Sequence, residues 1–339
     1  MKIVSFSDTH FHDFQQFANF NNDNGLNSRL LEQFDYLDFL KAIIEDKQPD
    51  AVLFGGDLVH NKGIVKPSIL LHLLEKMLFL NNYQLYMIAG NHDMEDVSGY
   101  YNVVALFELF FENAVVPFYK DYILHNRILC ASYQRHLQDF LDILQQEKGN
   151  YDVVLCHMGI MPEGGKKWHK SDIYPSELRE VIGNDVYVLN GHNHVPFIDG
   201  KIITLGSCMR HNFGDINREA LTYYIDTDTG EIETFNFDNI KFVDLEYPHP
   251  DGNDNIGDLT GCYVRCYTTK LQRFNAERFL EKNCKGYIIK IVDKNKPLEK
   301  KHKSSSIDDI VLNTIKQNYD SEKSQKLLDI FNKIRMEVK

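Results

Sequence analysis

The sequence predicts an α/β (α+β) fold, and three patterns carry that reading. Five short apolar runs, Ile3 to Phe6, Ala51 to Phe54, Leu85 to Ala89, Val153 to Leu155 and Val186 to Leu189, have the length of buried strands. Each leads into a block of glycine or polar residues, as a strand does where it delivers side chains to the carboxyl edge of a sheet. Between the runs lie stretches with apolar residues at helical spacing, and after residue 195 the pattern changes to short strands and tight turns.

The elements follow in order. Phe11 to Asn27 is polar and rich in Asn and Phe, and reads as a loop. Ser28 is expected to cap a helix in which Leu30, Leu31, Phe34, Leu37, Leu40 and Ile44 share one face. Pro67 to Leu80 reads as a second helix with proline in its first turn, and His136 to Gln146 as a third, after a strand region at Ile123 to Ala131. Val195 to Phe242, with turns at Asp199-Gly200 and Asp226 to Gly230, is expected to supply a second sheet.

The blocks at the strand ends are Asp8-Thr9-His10, Gly55-Gly56-Asp57-Leu58-Val59-His60, Gly90-Asn91-His92-Asp93, Cys156-His157 and Gly191-His192-Asn193-His194. Carboxylate and imidazole together suit first-row cations such as manganese, iron or zinc, and no thiolate pair points to a closed structural zinc site. Two cations about 3.5–4 Å apart can hold an attacking oxygen and the phosphoryl oxygens of a diester in line, with a carboxylate between them offsetting their repulsion. Asp57 is the bridging candidate. In Gly-His-x-His the two imidazoles leave one side of an extended segment, so each can serve one cation.

With these blocks in this order the chain resembles the calcineurin-like metallophosphoesterases, whose motifs are matched across Asp8 to His194. The resemblance implies a four-layer α-β-β-α sandwich and two divalent metal ions, Mn2+ foremost. It gives the first ion Asp8, His10, Asp57 and His194, and the second Asp57, Asn91, His157 and His192. His92 would stand outside the ligand set and protonate the leaving oxygen or stabilise phosphoryl charge, with Asp93 near it.

The segment Gly56 to Ser68 resembles the second motif of the SbcD-type DNA repair nucleases, in which Gly-Asp and two apolar residues precede a His and a polar loop. Ser/Thr protein phosphatases carry Asp-Arg-Gly where this chain has His60, Asn61 and Lys62. By resemblance His60 would orient the strand or the scissile phosphate for exonuclease action; an ordinary loop hydrogen bond is the other reading. His12 is read as an ordinary residue. The basic loop Met158 to Ser171, with Lys166, Lys167 and the sole tryptophan, Trp168, could reach a phosphate backbone or stack on an unpaired base, or be a solvated loop. Arg210 could touch DNA and His211 substrate, against a plain surface turn.

At 339 residues the chain exceeds a typical single domain, and 22 Phe with 18 Tyr suffice for packed cores. The expected division is a catalytic domain over 1–247, a β-α-β capping domain over 260–293 and a helical tail over 304–339 that docks a partner. No run of 18 apolar residues exists, and Met1 to Ser7 pass directly into a strand, so no signal peptide, no membrane and a cytoplasmic site are expected. The six cysteines form no Cys-x-x-Cys pair and read as reduced, buried residues.

Charge is unevenly spread. Residues 1–259 carry 19 Lys+Arg against 39 Asp+Glu, a balance of −20, and residues 260–339 carry 18 against 10, or +8, giving the net −12. Phosphate neutralisation supplies most nonspecific DNA affinity, so an acidic chain needs its basic tail or a partner to hold DNA. The lysine-rich run Lys294 to Lys303 reads as a linker, followed by helices starting at Ser306 and Ser321 with apolar stripes.

Taken together, these expectations describe a DNA phosphodiesterase with exonuclease and endonuclease activity. It would be a homodimeric nuclease subunit in an SbcCD-like complex whose coiled-coil SbcC-type ATPase partner hydrolyses ATP, since no phosphate-binding Gly-x-x-x-x-Gly-Lys-Ser/Thr loop occurs here. A small-molecule phosphoesterase and a DNA-holding scaffold are the alternatives.

Overall fold

Successive residues of a strand point to opposite faces, and the first strands carry apolar side chains on both. In the computed structural model, which describes residues 1–20, 25–96, 98–117, 122–248 and 257–292, Ile3 and Leu53 face one core while Val4, Phe6, Val52 and Phe54 face another. Strands buried on both faces belong inside a layered fold.

In chain order the elements up to the middle of the chain are β1 (Lys2–Phe6), α1 (Ser28–Lys47), β2 (Ala51–Phe54), α2 (Pro67–Met77), a 3-10 turn (Leu78–Asn82), β3 (Gln84–Met87), α3 (Ala105–Phe110), β4 (Ala114–Val115), β5 (Tyr122–His125), β6 (Ile128–Ala131) and α4 (Leu137–Gln146). There follow β7 (Val153–Cys156), α5 (Pro175–Ile182), β8 (Tyr187–Asn190), β9 (Phe197–Asp199), β10 (Ile202–Thr204), β11 (Leu221–Asp226), β12 (Glu231–Asn236), β13 (Lys241–Tyr247), β14 (Cys262–Thr268), α6 (Arg273–Asn283) and β15 (Gly286–Ile291). One six-stranded sheet runs β12-β11-β1-β2-β3-β4 and a second β5-β6-β7-β8-β10-β9.

The layers follow from the three large cores. Ile3, Leu53, Tyr86 and Tyr223 of the first sheet meet Cys130, Val153, Leu155 and Leu189 of the second. The outer face of the first sheet packs on Leu30, Phe34, Leu37 and Leu40 of α1 and Leu73 and Met77 of α2. Leu129, Val154 and Val188 meet Phe140 and Leu144 of α4 and Leu178 and Ile182 of α5 on the other side. This is the four-layer α-β-β-α sandwich. β1, β2 and β3 are parallel, with Phe6 opposite Phe54 and Phe54 opposite Met87. β6, β7 and β8 are parallel in the same way. Their carboxyl ends are therefore level within each sheet, and the polar blocks emerge side by side.

Three expectations are corrected. The second sheet is built mainly from β5 to β8; of the stretch after residue 195 only β9 and β10 join it. β11 instead pairs antiparallel with β1, Lys2 facing Asp226, and β12 follows as a hairpin, covering an edge of β1 that would otherwise expose unpaired backbone groups. Asn27, not Ser28, caps α1: its Oδ1 accepts the Leu30 N–H at 2.9 Å, while Ser28 Oγ accepts the Asn19 N–H at 3.0 Å. β13, which the boundary at 247 assigns to the sandwich, pairs with β14 in a third, all-parallel sheet, β13-β14-β15, packed on α6.

That small sheet is anchored on α1. The Tyr263 hydroxyl donates to Glu32 at 2.7 Å, and Tyr263 stacks on Phe17 with ring centroids 4.9 Å apart. The Arg29 guanidinium lies 4.5 Å from the Tyr263 ring. All six cysteines are free, five of them buried. The expected linker at 294–303 and helical tail at 304–339 lie outside the described residues. Among the described residues no helix is long and apolar enough to cross a membrane.

Candidate metal centre

The strand ends are bent to bring their side chains together. Asp8, His10, Asp57 and His192 have φ of 54°, 45°, 58° and 78°, in the left-handed region that residues with a Cβ seldom occupy. Neighbouring backbone holds them there. The Asp8 N–H donates to Gly56 O at 2.9 Å and the His10 N–H to Asp57 O at 3.0 Å, tying the first two blocks together. Buried Asp93 accepts the N–H groups of Asp57 and Leu58 at 2.8 Å, Gly90 at 2.9 Å and Val59 at 3.2 Å. Glycine is required where the blocks touch: a Cβ on Gly90 would overlap Asp57 Oδ1, and one on Gly191 would overlap Gly55 O and Ser7 Oγ.

The ligand-type atoms converge in two overlapping groups. On one side His10 Nε2 lies 3.0 Å from His194 Nε2, 3.9 Å from Asp8 Oδ1 and 3.6 Å from Asp57 Oδ2, and His194 Nε2 is 3.7 Å from Asp8 Oδ1. On the other, His157 Nε2 lies 3.4 Å from Asp57 Oδ2 and 3.3 Å from Asn91 Oδ1, which is 2.9 Å from His192 Nδ1. Asp57 Oδ2 thus faces both groups. His157 Nδ1 donates to Gly55 O at 2.7 Å, which fixes the tautomer and leaves Nε2 to the centre. Asp8 Oδ2 accepts from Ser7 Oγ at 2.6 Å and from the His192 N–H at 3.1 Å. Its Oδ1, fully buried, has no hydrogen-bond partner. A buried carboxylate oxygen without a donor, facing the Nε2 atoms of His10 and His194, fits a cation.

Charge and burial oppose each other here. Burial holds His10 well below the ordinary imidazole value, and burial followed by the charge of His157 brings His192 down to about 3. These imidazoles are neutral and keep a lone pair to give. Burial would lower His157 too, but the Asp57 carboxylate outweighs it and raises His157 to about 9. Burial likewise would raise Asp57, and His157 reverses that, holding the carboxyl far below its usual range. Asp57 is ionised throughout.

Residues 1–196 match the calcineurin-like phosphoesterases. The chain belongs to that family. A calcineurin-like phosphoesterase hydrolyses phosphoesters with divalent metal ions, and the donors just described suit such ions. Among curated proteins, the chain is 28% identical over 231 residues to the DNA double-strand break repair protein Mre11 of Methanocaldococcus jannaschii. That match covers 61% of this chain and 60% of the archaeal one, so the chain spans less than two thirds of that relative. Among solved structures, a novel archaeal phosphodiesterase aligns with 70% of this chain and all of its own, at 15% identity and a TM-score of 0.36. The Pseudomonas putida nuclease MPE aligns with 69% and 87%, at 12% identity and a TM-score of 0.30.

The remaining predicted residues of this phosphoesterase are placed unevenly. The His92 N–H donates to Asp57 Oδ1 at 2.8 Å and its Nδ1 to His60 O at 2.5 Å, so Nε2 is the free nitrogen. The His92 ring lies 4.8 Å from His10 and 5.7 Å from His60. His60 itself packs on His10, His12, Phe14 and His92, and its buried Nδ1 has no hydrogen-bond partner. His12, read as unremarkable, supports His60 from outside. Lys166 lies 4.1 Å over the exposed Trp168 ring, while Lys167 pairs with Glu177 at 2.5 Å. Arg210 turns into the fold: Nη1 pairs with Asp238 at 2.7 Å and Nε donates to Arg218 O at 2.8 Å.

Sequence reasoning left His211 on a surface turn, whereas the structure buries it beside His10, with Nε2 3.2 Å from Ser207 Oγ. Burial, then the charge of His194, lowers it to about 3. Ser207 in turn donates to Asp8 O at 2.9 Å, so this pair backs the first block. Nothing local marks such a residue. The signal for Asp93 was available, since it ends the Gly-Asn-His-Asp block.

Proposed function

We propose that the protein is a metal-dependent DNA phosphodiesterase with exonuclease and endonuclease activity, the nuclease subunit of an SbcCD-like DNA repair and recombination complex working in the cytoplasm. The observation that carries this reading is His60: where Ser/Thr protein phosphatases carry the Asp of Asp-Arg-Gly the chain packs an imidazole beside His10 and His92, and Asn61 stands where they carry the arginine that grips a monoester. The relation to an archaeal protein described as repairing DNA double-strand breaks supports it.

Asp8, His10, Asp57 and His194 would hold one divalent ion and Asp57, Asn91, His157 and His192 the other, with Mn2+ the first choice. When bound, the ions supply the charge that activates water and neutralises the phosphoryl oxygens. The chain does the rest. His92, its Nδ1 tied to His60 O, presents Nε2 as proton donor to the leaving sugar oxygen. The His60 ring limits how a strand can lie over the centre and so favours cleavage from an end. Lys166 and Trp168 offer a cation and an exposed ring to the backbone and an unpaired base. The sheet β13-β14-β15 with α6, within the expected 260–293 capping domain and its added strand, presents DNA. The 304–339 tail docks the ATPase partner, and the chain assembles as a homodimer within the complex.

The test is cleavage of linear duplex and single-stranded DNA by the manganese-loaded protein, alone and with the ATPase and ATP, beside cyclic dinucleotides. Cleavage of DNA supports the reading. Hydrolysis of cyclic dinucleotides with DNA left intact in every mixture would replace it with a small-molecule phosphodiesterase.

A further inference from the structure

A cavity of about 470 Å³ opens beside the centre and is lined by Asn91, so it adjoins the Asp57–His157–His192 side. One wall is Tyr133, half-buried, whose ring lies 5.8 Å from that of His192 and 6.2 Å from that of His157. The Tyr133 N–H donates to Ala89 O at 2.9 Å, which fixes the residue against the end of β3. Buried Met94 adds an apolar surface. Lys62 and Arg135, both exposed, stand at the same cavity, and among the described residues neither side chain is engaged in an ion pair. Two carboxylates, Glu95 and Asp96, also line it, and Asp96 Oδ1 accepts the Ser98 N–H at 2.7 Å.

A pocket for a bare phosphate would not carry two carboxylates, and a pocket for an apolar ligand would not carry two free cations. A nucleotide matches the whole set. It has phosphate oxygens for Lys62 and Arg135, a flat aromatic face for Tyr133 and Met94, and amino and hydroxyl donors for the carboxylates. We infer that this cavity is the subsite for the nucleotide flanking the scissile phosphate, held with its base out of the stack on Tyr133. The inference rests on the DNA phosphodiesterase reading and deepens it: the enzyme engages an unpaired nucleotide, so a frayed or single-stranded end is cleaved in preference to a fully paired one. Base–aromatic stacking tolerates any base, which suits a nuclease without sequence preference.

The test is calorimetric titration of the manganese-loaded full chain with a deoxynucleoside 5′-monophosphate and with 2-deoxyribose 5-phosphate, which lacks the base. The nucleotide should bind at least about tenfold more tightly, the lower part of what one stacked base contributes. Tyr133→Ala should erase most of that ratio, and Tyr133→Phe, which keeps the ring, should restore it. Arg135→Gln should weaken both ligands together. Equal binding of the two ligands by the wild type, or an unchanged ratio in Tyr133→Ala, would overturn the inference. The titration needs no turnover, so a protein that leaves DNA uncut loses the nuclease reading while the base preference is still measured.

Discussion

Removing the Asp93 carboxylate should unfasten the turn that carries Asp57. Its two oxygens accept four backbone N–H groups, from Asp57, Leu58, Val59 and Gly90, at 2.8 to 3.2 Å, and the residue is buried. A buried donor left without a partner costs about 1–3 kcal/mol. Four donors at the lower end of that range put Asp93→Ala about 4 kcal/mol below wild type, a large part of the roughly 5–15 kcal/mol that stabilises a typical domain. Asp93→Asn keeps one acceptor oxygen and turns an amide toward the N–H groups, so roughly 2 kcal/mol is expected for it. Because Asp57 faces both donor groups, manganese affinity should fall along with stability. The assay is the denaturant midpoint of each variant beside a manganese titration. An Asp93→Asn protein as stable as wild type, binding manganese normally but lacking turnover, would show that Asp93 acts on His92 or on substrate and would refute the clamp.

His92→Ala should lose nearly all turnover, roughly the 10²–10⁴-fold that a general acid contributes, while metal analysis shows both ions retained; loss of metal would show that its role is structural. His60→Ala should lower exonuclease activity on a recessed end more than nicking of a closed circle, and equal loss of both would remove its special place. Chelation should lower the melting temperature and manganese should restore it, because buried Asp8 Oδ1 has no other partner and Asp8 and Asp57 repel each other; a melting temperature indifferent to chelator would count against a metal centre. Arg29→Met should loosen the small sheet, since the guanidinium lies over the Tyr263, Phe242 and Phe14 rings and donates to His211 O at 3.1 Å; unchanged hydrogen exchange in β14 would contradict that.

The five strand-end blocks were legible because each is a local pattern, a buried run followed by residues that serve chemistry rather than packing. Helices α1, α2 and α4 were legible from the spacing of Leu30, Phe34, Leu37 and their equivalents. Helices α3 and α5, with six and eight residues, are too short for apolar spacing to mark them and were missed; the other failures were nonlocal. Whether β11 joins the first sheet or the second depends on which edge is open, and residues 221 to 226 contain nothing that names Lys2 as their partner. β13 went astray for the same reason: its alternation suits a sandwich edge as well as a partner for β14. The burial of His211 depends on Arg29, Ser207 and Asp215 arriving from distant or irregular segments, and a histidine in a turn carries no mark of that.

The left-handed backbone at Asp8, His10, Asp57 and His192 sets a conflict between selection for durability and selection for catalysis. Such a conformation costs a residue with a Cβ on the order of 1–3 kcal/mol, and glycine is nearly free of that cost. At these four positions the substitution that best relaxes the backbone is therefore the one that deletes a proposed metal donor. A library of metal-free protein sorted only for heat resistance should collect glycine there and return proteins that no longer bind manganese, so the enriched positions would map the centre without a single activity measurement.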